Sequence, residues 1–122
     1  MKANGDEMIR VNGLKSCDTC KKALKWLESE GLASHFRDLR ADPVTLEEVK
    51  RWGASAGWDV LVNKASTTWR GLGDEEKASA AGAGAAALLV AYPALIKRPV
   101  FEAGESVVVG FKPAQQETLK AL

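Results

Sequence analysis

The sequence predicts an α/β fold: a mixed four-stranded sheet with flanking helices and a helical insertion between its two halves. Three observations carry that expectation. Short segments of strand-like pattern stand near both ends of the chain. Helix-period patterns separate and follow them, and the 122 residues fit one domain with a modest core.

Met8-Ile9-Arg10-Val11-Asn12 alternates apolar and polar residues and stops at Gly13, which reads as a first strand and a loop. From Asp18 to Glu30 the period becomes helical: Ala23, Leu24 and Leu27 share a face, and Gly31 is a natural C-terminal stop. His35 to Leu39 reads as a second strand. Asp42-Pro43 breaks the pattern. Thr45 followed by Glu48 then marks a capped helix that runs through Val49 and Trp52 to about Gly57. Asn63 to Gly73 reads as a loop, with helices over Asp74 to Ala80 and Ala81 to Tyr92. The pair Gly82 and Gly84 lacks the strand before it and the third glycine that a nucleotide loop needs.

Leu95-Ile96-Lys97 is expected as a third strand ending at Arg98-Pro99, and Val107-Val108-Val109 as a fourth after a turn at Gly104. Gln115 to Leu122 is expected as a closing helix. The first three elements then form a right-handed parallel βαβ unit, and the last three a hairpin and helix. That layout is thioredoxin-like. One domain over 1–122 is expected, with its core at about 8–42 and 93–122 and the insertion at about 43–92.

A net charge of +1, with 46% hydrophobic and 27% charged residues, gives no global pull toward nucleic acid or an anionic membrane. Residues 1–7 are polar, without the apolar stretch of a signal peptide. The longest apolar run, Ala85 to Ile96, is too short to span a bilayer and contains Pro93. The expectation is a cytoplasmic protein that binds neither nucleic acid nor membrane, with monomer as the default for so short a chain.

The two cysteines are Cys17 and Cys20. A thiolate is the reactive form of cysteine, and a position just before a helix favours it through unpaired N–H groups and the helix dipole. Lys15, Lys21 and Lys22 add positive charge nearby, and Asp18 opposes them. Cys20, one turn on, is placed to attack a mixed disulfide on Cys17 and release the product. Inert burial of both cysteines competes with this reading. Zinc ligation competes less well, because the chain offers no further Cys and a single His. That residue, His35, falls in an expected strand and reads as a strand residue. No metal and no tightly bound cofactor is expected. The four tryptophans, Trp26, Trp52, Trp58 and Trp69, read as packing residues.

The segment from Asn12 to Ala23, with Gly13-Leu14-Lys15-Ser16-Cys17-Asp18-Thr19-Cys20, resembles the active-site loop of the ArsC/Spx family of arsenate reductase-like proteins. Trp58 to Lys64, Thr67-Thr68-Trp69-Arg70, Pro93 to Pro99 and Val107 to Phe111 resemble its YffB branch, and these matches follow family order. The resemblance implies a thioredoxin-like fold with a helical insertion. It implies that Cys17 is the nucleophile, that Arg98 faces it, and that the Arg98–Pro99 bond is cis. Asp18, Thr19, Asn63, Arg70 and Pro99 are the candidate substrate-binding residues.

Arsenate reductases of this kind are expected to carry three arginines around the cysteine. Here Arg98 matches one, and Asn63 and Gly110 stand at the other two positions. An oxyanion wants several fixed cationic donors, so a glutathione-dependent thiol/disulfide reductase ranks first. Glutathione is then the co-substrate and a small oxidised thiol or an oxyanion the substrate. Glutaredoxin-linked arsenate reduction ranks second. A regulator of Spx type, with Cys17 and Cys20 as a redox switch, is the non-enzymatic alternative.

Overall fold

The computed structural model describes residues 8–122, so the polar segment 1–7 read from sequence lies outside the described residues. The chain divides into two compact units. Among the described residues, one comprises 8–43 and 98–122, and the other 44–97.

The first unit holds the sheet. Strand β1 (Ile9–Gly13) leads into helix α1 (Asp18–Ser29), then β2 (Ser34–Asp38), which pairs parallel with β1. After the second unit the chain returns as β3 (Val100–Ala103), β4 (Ser106–Val109) and a closing helix, numbered α7 in chain order (Pro113–Lys120). The strand order is β2-β1-β3-β4, with both β1–β3 and β3–β4 antiparallel. This is the mixed, thioredoxin-like sheet that the strand and helix patterns predict.

One face of that sheet is apolar. Ile9 and Val11 of β1, Phe101 of β3 and Val108 of β4 pack with Ala23 and Leu27 of α1 and Leu119 of α7. The spacing of Ala23 and Leu27 puts both on one stripe of α1, which is why a helix forms and docks there. Trp26 meets Phe111 edge-on, with ring centroids 5.5 Å apart. Helix α1 ends at Gly31, whose φ of 71° suits glycine. There Leu32 N–H reaches Leu27 O and Gly31 N–H reaches Glu28 O, the pairing of a Schellman stop.

The other face is lined by the polar phase of the same strands. Asn12, Arg37 and Glu102 are buried on it.

The second unit is helical. Helix α2 (Leu46–Ala56) begins at the Thr45–Glu48 capping box and packs against α3 (Trp58–Leu61) and α6 (Ala85–Ala91). Between them lie α4 (Thr67–Arg70) and α5 (Asp74–Ser79), and the unit closes on a 3₁₀ turn over Pro93–Leu95. Val49, Trp52, Leu61, Leu89, Leu95 and Ile96 are fully buried. Gly53 is required by its neighbour, because a Cβ there would enter the Trp58 ring.

Three expectations are corrected here. The third strand is Val100–Ala103, not Leu95–Lys97: Pro93 starts a 3₁₀ turn, and Ile96 makes one antiparallel bridge to Val62. The stretch from Asn63 to Gly73 is not all loop, because the Ser66 hydroxyl accepts from Trp69 N–H and starts α4. The helix expected from Ala81 begins only at Ala85, after Gly82 and Gly84, which hold it poorly. No helix of the described residues is long and apolar enough to cross a membrane.

Candidate functional site

Strand β1 ends at Gly13, and a tight turn follows in which Cys17 N–H donates to Leu14 O at 3.1 Å. The turn delivers Cys17 to the N-cap of α1, with extended φ and ψ of −84° and 117°, while its carbonyl already accepts from Lys21 N–H. Its side chain is half-exposed. Cys20 faces inward from the first turn and is 1% exposed. Gly13 makes room for it, since a Cβ at position 13 would collide with the Cys20 sulfur.

The two sulfurs have opposite electrostatics. Burial works to raise the Cys17 pKa, but it is outweighed. The Cys20 N–H, the Cys20 thiol, the Thr19 N–H and the charge of Arg98 all favour the thiolate, and the net effect holds Cys17 below the ordinary value. Cys17 makes no side-chain capping hydrogen bond of its own at this helix start.

Burial pushes Cys20 up to about 11. The Leu14 N–H pulls it down, whereas the hydrogen bond it gives to Cys17 and the Cys17 charge push it further up. At neutral pH this turn therefore presents one activated sulfur and one protonated donor beside it.

Arg98 comes from the other end of the unit, at the residue before cis-Pro99, and its charge acts on both cysteines. Pro99 is buried and its carbonyl accepts from Gly110 N–H, which ties the cis bond to the end of β4. The structure thus brings Cys17, Cys20, Thr19 and Arg98 together. Asp18 is exposed in the first turn of α1.

Asn63 and Arg70 belong to the second unit, where both serve the local turn. Asn63 Oδ1 accepts from Ala65 N–H, its backbone carbonyl accepts from Ser66, and its N–H donates to Leu95 O at 2.7 Å. Arg70 donates to Ala65 O and to the Thr67 hydroxyl. The ammonium groups of Lys64 and Lys77 each stand over the Trp69 ring, 5.6 and 5.9 Å from its centre. His35 is an exposed residue of β2.

Sequence reasoning missed the polar cluster beneath the turn. Asn12, fully buried, donates through Nδ2 to Val100 O at 3.1 Å and to Glu102 Oε1 at 3.0 Å, and accepts from Arg37 Nη1 at 3.3 Å. Arg37 also donates to Asp42 Oδ2 and to Pro43 O. Arg10 lies 3.9 Å from Glu102. The available signal was that Asn12, Arg37 and Glu102 each occupy the polar phase of an alternating strand.

The model of the ArsC family matches residues 13–119. An uncharacterised protein of Haemophilus influenzae is 41% identical over 110 residues, covering 90% of this chain and 96% of its own. The solved structure of a YffB protein superposes with a TM-score of 0.83 at 40% identity, covering 92% of this chain and 98% of that one. The global transcriptional regulator Spx 1 of Bacillus cereus is 26% identical, over 85% of this chain and 80% of its own length.

Proposed function

The chain belongs to the ArsC family, and on that premise we propose that it is a glutathione-linked thiol–disulfide reductase with Cys17 as nucleophile. The observation that carries this reading is the opposed pair of sulfurs: Cys17 held toward thiolate, Cys20 held as a thiol that donates to it. A thiolate attacking a disulfide needs its charge stabilised before reaction and its leaving sulfur stabilised after it.

In the first step Cys17 Sγ attacks the glutathione sulfur of a mixed disulfide. The Cys17–glutathione bond forms, the original sulfur–sulfur bond breaks, and the other thiol leaves as a thiolate that takes a proton from solvent. In the second, a glutathione thiolate attacks the bound glutathione sulfur. Oxidised glutathione departs and the Cys17 thiolate returns. In sum one free glutathione thiol is consumed, the substrate's other half is released as a thiol, and its glutathione half leaves within oxidised glutathione.

Cys20 is the competing resolver. Burial of Cys20 favours its protonated thiol, which slows its attack and leaves a second glutathione able to resolve the intermediate. Cys20 closes on Cys17 when glutathione is scarce and shields it as an internal disulfide. Arg98 stabilises the Cys17 thiolate or a glutathione carboxylate.

Arsenate asks more of the site. The described residues of the first unit supply one arginine whose charge acts on Cys17. That supports ranking a disulfide ahead of an oxyanion that needs several fixed cations.

The test is glutathione-coupled turnover of a glutathione mixed disulfide and of arsenate, side by side. Disulfide turnover is expected to vanish in Cys17→Ser. It is expected to fall about tenfold in Arg98→Ala, the size of one charge-assisted interaction. Full turnover by Cys17→Ser overturns the reading. Saturable arsenate turnover at low concentration favours arsenate reduction. Turnover of neither substrate, with a reversible Cys17–Cys20 disulfide, favours a redox switch like that of a regulator.

A further inference from the structure

We propose that Asn12 is a positioning residue: by tying β1 to β3 beneath the site, it fixes the Cys17 turn relative to Arg98. The inference rests on reading Cys17 as the nucleophile and names a residue that touches neither sulfur nor substrate.

The two halves of the site leave the sheet at one place. Asn12 and Val100 form the last register pair of the β1–β3 ladder. Beyond Asn12 the chain has only Gly13 before the turn to Cys17. On the other strand, cis-Pro99 and then Arg98 directly precede Val100. The Asn12 side chain spans this pair. One Nδ2 hydrogen bonds the Val100 carbonyl and the other bonds the Glu102 carboxylate. Oδ1 is held by Arg37 of the neighbouring strand, so a single amide links three strands.

An amide in a fully buried strand position is a costly choice for stability alone. Its desolvation offsets much of what its hydrogen bonds return, and valine fits a strand well at no such cost. Retaining the amide makes sense where it fixes a geometry that apolar packing leaves loose. Arg37 is in turn anchored to Asp42 and Pro43, so the amide cannot rotate without breaking a chain of bonds. The groups acting on Cys17 from around it are the amides and thiol of its own helix turn and the Arg98 guanidinium. Those of the turn follow β1, and Arg98 follows β3. Slack between the strands separates the two sets.

The test is the pH profile of Cys17 alkylation in the full chain, followed at Cys17 by mass spectrometry, for wild type, Asn12→Val, Asn12→Thr, Glu102→Gln and Val11→Ala. Asn12→Val is expected to raise the midpoint and slow alkylation at pH 6 about threefold, half a pH unit. Asn12→Thr keeps one donor and is expected to lie between Asn12→Val and wild type. Val11→Ala loosens the opposite face of the same strand and is expected to lower stability with the midpoint unmoved. Glu102→Gln keeps the acceptor for Asn12 and removes a charge, and is also expected to keep the wild-type midpoint.

A wild-type profile in Asn12→Val, or an equal shift in Val11→Ala or Glu102→Gln, overturns the proposal. If Asn12→Val does not fold, a raised midpoint in Asn12→Thr supports the proposal and an unmoved one overturns it. A wild-type midpoint at the ordinary thiol value fails the nucleophile reading itself, whereas a low wild-type midpoint that Asn12→Val leaves in place fails only the role of Asn12.

Discussion

Cys17 and Cys20 share one helical turn, yet one is half-exposed at the N-cap and the other is buried against Gly13. The neighbouring amides favour charge on the first sulfur, and burial opposes it on the second. The difference shows that a C-x-x-C spacing alone does not assign roles. The register of the helix does, by turning one sulfur toward open N–H groups and the other toward the sheet. Activation at Cys17 and retention of the proton at Cys20 come from the same turn of backbone.

Labelling should separate the two by the widest margin. With an alkylating agent at pH 7, Cys17 is expected to react at least a hundredfold faster than Cys20, as followed by peptide mass spectrometry. Comparable rates would erase the distinction between them.

The next effect is steric. Gly13→Ala puts a methyl group where the Cys20 sulfur lies, and is expected to cost about 1–3 kcal/mol in denaturant unfolding. Reactivity at Cys20 should rise as its sulfur is displaced. Unchanged stability would mean that the turn yields easily.

A smaller effect concerns alkaline pH. Cys20 titrates at about 11 in the fold, above its ordinary value of 9.0. Between those values the unfolded chain has lost a proton that the folded chain keeps, so stability falls as pH rises through this window. Below it the group contributes no slope. Cys20→Ser is expected to flatten the decline in unfolding midpoint measured from pH 8 to pH 11.

The smallest effect lies in the other unit. Thr45→Ala removes the capping box of α2 and is expected to cost about 1 kcal/mol by thermal unfolding. The Cys17 alkylation profile should stay that of wild type.

Much of this was legible locally. The Thr45–Glu48 box, the Gly31 stop and the alternation of β1 are short-range signals, and each marks an element that exists. Cys17 was legible because its role depends on the helix that starts beside it. Strand composition and alternation do not decide whether a segment joins the sheet or what covers it. Leu95–Ile96 has strand composition, but Pro93 and a single bridge to Val62 leave it outside the sheet. Asn12, Arg37 and Glu102 look like solvent-facing strand residues, and their burial depends on contacts up to 90 positions apart.

The placement of tryptophan has an optical consequence. Trp26, edge-on to Phe111, belongs to the sheet unit, whereas Trp52, Trp58 and Trp69 all belong to the helical one. Intrinsic fluorescence of this chain is thus weighted toward residues 44–97. Replacing Trp26 with phenylalanine would leave an emission signal from the helical unit alone, a native gauge of whether the two units melt together or in turn.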